Sequence, residues 1–155
     1  MTESDRAALA RSIIDENLYM VLATADASGR PWATPVYYAV ADYRDFYWVS
    51  SPDVTHSRNI ATRPDVGIVI FDSRASIGTG QGVYMPASAE QISGPDLNLG
   101  IDVFSQRSIA HGGTRWTRDD VSPPSQMRLY RATASEYSML VKDGRPDHRL
   151  VVEQL

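Results

Sequence analysis

Residues 18–40 read LYMVLATADASGRPWATPVYYAV, and this stretch decides the fold. Leu18 to Ala25 is a nearly continuous apolar run. Asp26-Ala27-Ser28-Gly29-Arg30 is a turn, built from residues that bond their own backbone and a late glycine. Pro31 then opens a second strand, Trp32 to Val40, rich in aromatic and β-branched side chains that suit a pleated surface. Two such runs with so short a connection predict an antiparallel hairpin.

Upstream of the hairpin, Thr2 or Ser4 can cap a helix over about residues 4–17, with Glu3 and Asp5 near its positive end. Leu9, Ala10, Ile13 and Ile14 give that helix an apolar stripe. Downstream, Ala41 to Asp45 is a polar turn and Phe46 to Val49 a third strand. Ser51 reads as the N-cap of a second helix with Pro52 at its first position. That helix must stop before Pro64, because the residue before a proline resists the helical region. Val66 to Phe71 is a fourth strand, and Ser73 to Gly82 a glycine-bearing loop. Val83 to Ile92 alternates apolar and polar, as a strand with one wet face does. A helical insertion over about 94–112 begins at Gly94-Pro95 and ends at His111-Gly112-Gly113. Met127 to Val141 is a long last strand or bent strand pair, and Arg149 to Val152 a tail strand.

About six strands in mostly hairpin order favour an antiparallel barrel with appended helices over a parallel sheet. Closure into a barrel removes exposed edges. The expected division is one domain over 1–155, its barrel at about 18–92 and 127–153.

Composition narrows the chemistry. The 155 residues are 43% hydrophobic and 22% charged, as in an ordinary globular protein. Cysteine is absent, which excludes disulfides and thiolate metal sites. The three histidines, His56, His111 and His148, show no zinc-ligand spacing. A net charge of −4 argues against nucleic acid or an anionic membrane as partner. The acidic start is unlike a signal peptide, and the expected location is cytoplasmic. No serine hydrolase signature appears.

One constellation stands out. A strand ends in Val49-Ser50-Ser51, and a helix bearing Thr55, His56, Ser57, Arg58 and Asn59 follows at once. Free N–H groups at a helix start attract anions, and nearby hydroxyls and a guanidinium suit phosphate. The plainer alternative makes Ser51 a cap and pairs Arg58 with a surface carboxylate. Similar alternatives hold elsewhere. His111 reads as a helix-end cation, Glu90 and Arg131 as a cross-strand pair. The loop Arg115-Trp116-Thr117-Arg118 either packs its tryptophan or closes over a cofactor ring.

The order Leu22-Ala23-Thr24, Gly29-x-Pro31-x-x-x-Pro35-Val36, Tyr47-x-Val49-Ser50-Ser51-Pro52, Ser57-Arg58-Asn59-Ile60 and Arg63-Pro64-Asp65-Val66 resembles the pyridoxamine-5′-phosphate-oxidase-like family. Arg128-Leu129-Tyr130-Arg131-Ala132 fits it too. The resemblance implies a six-stranded, Greek-key split β-barrel forming a homodimer, with FMN or the deazaflavin F420 across the interface. It implies that Thr34, Pro35, Val36 and Tyr37 run beside the flavin ring and that Val49 and Ser50 line the ring and ribityl side. Ser51, Thr55, His56 and Arg58 belong to the phosphate seat, and Gln81 contacts the flavin from the fifth strand. Members that oxidise pyridoxamine phosphate carry an arginine and a lysine where Thr34 and Ala39 stand, and a basic pair where Thr55-His56 stands. The implied function is therefore a flavin-dependent oxidoreductase of a small organic substrate, not a true pyridoxamine phosphate oxidase. An F420-dependent reductase and a non-catalytic flavin-binding or flavin-sensing dimer are the alternatives.

Overall fold

The segment from Pro31 to Ala41 forms both ends of one sheet. The computed structural model describes residues Met1 to Leu155. Its strands are β1 (Tyr19–Ala25), β2 (Pro31–Tyr37), β3 (Ala39–Ala41), β4 (Asp45–Ser50), β5 (Asp65–Phe71), β6 (Gly82–Gln91), β7 (Arg128–Ala134), β8 (Ser138–Val141) and β9 (His148–Val151). Helices are α1 (Glu3–Glu16), α2 (Thr55–Thr62) and α3 (Pro95–Ala110), with a 3-10 turn at Arg118–Val121. The sheet runs β2-β1-β5-β6-β7-β4-β3, with β8 added on β6 and β9 on β8, and every pairing is antiparallel. The terminal strands of that path, β2 and β3, are separated in sequence by Tyr38 alone. The bent segment thus carries the sheet round on itself as a split barrel.

Two of the expected stretches are divided here. The second strand breaks at Tyr38, whose side chain turns wholly inside. Its hydroxyl donates to the Ile14 carbonyl at 2.5 Å, and the Arg107 guanidinium lies 4.7 Å from its ring centroid. The last long strand breaks between β7 and β8, and the tail pairs as β9, so the strands number nine. The first hairpin forms as expected, antiparallel, with Tyr19 opposite Tyr37 and Ala25 opposite Pro31. Asp26 organises its turn: one carboxylate oxygen accepts from the Ser28 N–H, the Ser28 hydroxyl and the Arg30 N–H at 2.7–2.9 Å. Gly29 takes φ +87°, where a side chain would be strained.

Thr2, not Ser4, caps α1, exchanging bonds with Asp5 in a capping box. The buried face of α1 is Ala7, Ala10, Ile13 and Ile14, with Leu9 packed at its margin. These join Met20, Leu22, Ile68, Ile70 and Met85 in the main core, each large side chain adding about 1.5–3 kcal/mol of burial. A second, smaller core lies under α3, where Leu97, Ile101 and Phe104 cover Ala39, Tyr47 and Leu129.

The second helix starts later than its sequence suggests. Ser51 does not cap it: its hydroxyl accepts from the Asp53 N–H at 3.1 Å and makes a local turn. Pro52 belongs to that turn, and α2 begins at Thr55 behind Val54, which supplies no capping side chain. The helix ends at Thr62, before Pro64, as expected. Gly94 (φ +69°) and Pro95 begin α3, and His111 and Gly112 (φ +79°) end it.

Candidate functional site

The ends of β2 and β4 converge on the start of α2 and the end of α3. Between them lies a cavity of about 750 Å³, within the usual range for a small-molecule site. Pro35, Val36 and Tyr37 come to it from β2, Val49 and Ser50 from β4, and His56 from α2. The structure brings these six residues together. Thr34, Ser51, Thr55 and Arg58 do not line the cavity; the last three sit in or just before the first turn of α2, whose His56 does. Gln81 lies elsewhere, beside Arg6, Met139 and Lys142 at a separate cavity of about 330 Å³.

His56 is buried, and its Nε2 lies 2.8 Å from the Ser50 hydroxyl. Burial pushes its pKa below the ordinary histidine value, so the imidazole is neutral at pH 7. It offers the cavity a hydrogen-bonding ring, not a fixed positive charge. The helix that carries it is held by a buried bond from Asn59 Nδ2 to Thr24 Oγ1 at 3.0 Å, linking α2 to β1.

The start of α2 is open to an anion. Its first N–H groups have no intrahelical acceptor and no capping side chain. Arg58, one turn on, is exposed and joins none of the ion pairs in the protein. The surface-carboxylate alternative for Arg58 is thereby removed. Uncapped N–H groups, the exposed Thr55 hydroxyl and a free guanidinium form a donor set that fits a phosphate.

The remaining wall lies outside the expected binding residues, apart from Trp116, whose loop reads as either packing its tryptophan or closing over a ring. Phe104, Ser108 and His111 reach it from α3, and Trp116 and Met127 from the connection to β7. Tyr37 stands edge-on to Tyr19, Phe104 and His111, and Trp116 edge-on to Phe104. The Tyr37 hydroxyl lies 2.8 Å from His111 Nδ1, across 74 residues of chain. Ser105 Oγ accepts from the Trp116 N–H at 2.9 Å and pins the connection to α3. His111 also closes α3 through its backbone N–H, which bonds Arg107 and Ser108 carbonyls. Its helix-end position was legible; its ring's partner was not. Glu90 and Arg131 are the cross-strand pair expected, paired in register with oxygen and nitrogen 2.5 Å apart.

A family model described as pyridoxamine 5'-phosphate oxidase matches residues 7–141. The chain belongs to that family. The pyridoxamine 5'-phosphate oxidase match takes in the eight strands β1 to β8 and the whole of the groove. A comparison with curated proteins returns no match. Among solved structures, a heme binding protein from Mycobacterium smegmatis is similar over 95% of this chain and 58% of its own, at 21% identity and TM-score 0.72. HutZ, the heme storage protein from Vibrio cholerae, is similar over 87% of this chain and 93% of its own, at 19% identity and TM-score 0.66. Campylobacter jejuni ChuZ is similar over 97% and 61%, at 15% identity and TM-score 0.75. The chain therefore spans little more than half the length of the first and third. At these identities the likeness is one of fold.

Proposed function

We propose that the groove binds a flavin-type cofactor, FMN or its F420 relative, and that the protein is a flavin-dependent oxidoreductase of a small organic molecule. One observation carries the reading: a largely apolar groove of ring-accommodating size is lined by His56, in the first turn of an uncapped helix that also bears an unpaired arginine. Pro35, Val36, Tyr37 and Val49 would flank the ring, while Thr55, Arg58 and the first N–H groups of α2 would hold the phosphate. Such a cofactor supplies the hydride chemistry; the protein binds, orients and excludes water. That division of labour suits a groove without a carboxylate. A homodimer with the cofactor between subunits belongs to the same proposal. Trp32 and Tyr19, 49% and 59% exposed on the outer hairpin, support it as large apolar surface awaiting cover.

Haem is the second reading. The imidazoles of His56 and His111 both line the groove, and two of the similar structures are described as heme proteins. A single experiment separates the two. Purified full-length chain is titrated with FMN, F420 and hemin in parallel, followed by visible absorption and by mass spectrometry of what denaturation releases. Retention of FMN or F420 at one per subunit supports the flavin reading. A Soret-band shift with hemin and no flavin uptake overturns it. Flavin that stays oxidised under every nicotinamide or chemical donor tried leaves a flavin-binding protein without the oxidoreductase step.

A further inference from the structure

The groove contains a second imidazole that the phosphate seat does not use. His111 closes α3, and its Nδ1 is taken up by the Tyr37 hydroxyl at 2.8 Å. Its ring makes no other hydrogen bond to the protein. The residue is exposed and lines the groove, so Nε2 is free to meet a ligand. Tyr37 is itself fixed on three sides by Tyr19, Phe104 and His111. Burial raises its pKa, so the hydroxyl keeps its proton and has one to donate. The charged group facing this pair is the Arg107 guanidinium, whose field lies on Tyr37; Tyr19 is the other titratable neighbour. A cation there turns the oxygen of Tyr37 toward itself and the proton toward His111 Nδ1. An imidazole that accepts this bond at Nδ1 carries its own hydrogen on Nε2, the ring nitrogen left without a protein partner.

We infer that Tyr37 and His111 form a ligand-positioning couple, in which Tyr37 fixes the tautomer and His111 Nε2–H donates to an acceptor oxygen or nitrogen of a flat ligand in the groove. The ligand class is aromatic or heteroaromatic, apolar across its faces, with a carbonyl, carboxylate or ring-nitrogen acceptor at one edge. The inference shares its groove with the flavin proposal, and it deepens that proposal by adding a contact at the α3 wall.

Nitrogen-15 NMR of the histidine side chains in the full chain tests it, first without ligand and then with two probes. FMN requires the phosphate seat; benzoate, a small aromatic acceptor, does not. The expected free state has His111 protonated on Nε2, and Tyr37→Phe mixes the tautomers without unfolding the protein. Either probe should shift the His111 Nε2–H resonance, and His111→Ala should weaken that probe's binding at least fivefold, with partial rescue by His111→Gln. If FMN fails but benzoate shifts His111, the flavin proposal falls and the couple stands. If FMN binds with unchanged affinity in His111→Ala and its addition leaves the resonance still, the couple falls and the flavin proposal stands. An Nδ1–H tautomer in the free protein, or no response to either probe, overturns the couple outright.

Discussion

The Ser50 hydroxyl and the His56 imidazole meet at 2.8 Å inside the protein, joining the last residue of β4 to the first turn of α2. This bond ties the first turn of the helix to the groove wall, which both residues line. It also holds a neutral histidine where it has little water.

That neutrality predicts a pH dependence. The folded pKa of His56 lies below its ordinary 6.5 through loss of solvation. The unfolded chain therefore binds the proton first as pH falls. Stability contributed by the neutral ring is whole above about pH 6.5 and is lost as pH drops through that value toward the lower folded pKa. The melting temperature should fall from pH 7.5 to 5, and His56→Gln should flatten part of that slope. An unchanged slope in the variant would place the effect on other groups.

Arg58 is the one side-chain cation at the proposed phosphate seat that keeps its charge at every accessible pH. Arg58→Ala should weaken FMN binding by about three- to tenfold, roughly one charge-assisted hydrogen bond. It should also reduce the salt dependence of that binding. Fluorescence titrations at low and high salt measure both, and equal slopes for the two proteins would remove Arg58 from the seat.

Gly100 sits where α3 presses on the smaller core. A Cβ there would lie 2.8 Å from Ile92 Cδ1 and Tyr47 Cε1 and 2.9 Å from Leu129 Cδ2. Overpacking of this kind costs about 1–3 kcal/mol, against roughly 1 kcal/mol gained from alanine's helix propensity. Gly100→Ala should lower stability by up to about 2 kcal/mol in urea unfolding. A stabilised variant would mean that the three side chains yield freely.

Tyr38 closes the barrel between β2 and β3 and bonds the Ile14 carbonyl at the end of α1. Removing its hydroxyl with Tyr38→Phe should cost about 1 kcal/mol, since the Arg107 guanidinium still approaches the same carbonyl at 3.5 Å. Faster hydrogen exchange in the last turn of α1 would locate the loss. Exchange that speeds up evenly across the chain would show that the bond does not anchor that helix.

Much of this was written locally. The Asp26–Arg30 turn forms because aspartate, serine and glycine bond and bend within five residues, and the hairpin register follows. The ends of α3 follow from Gly94-Pro95 and His111-Gly112 for the same reason. Ser51 misled because a serine before a proline suits two turns equally: its hydroxyl reached Asp53, and the helix began three residues later. The break at Tyr38 had no local mark either, since Tyr37 and Tyr38 are equally good strand residues. Only the buried Ile14 carbonyl and Arg107 decide which one turns inward.

By itself the sequence determined the antiparallel barrel, its first hairpin and the helices appended to it, because alternation, turn chemistry and capping act over a few neighbouring residues. Tertiary structure alone decided that Gln81 stands away from the groove, that His56 is neutral, and that His111 meets Tyr37 across 74 residues. Those outcomes depend on burial and on contacts between distant elements, which arise only when the sheet closes and α3 packs across its end.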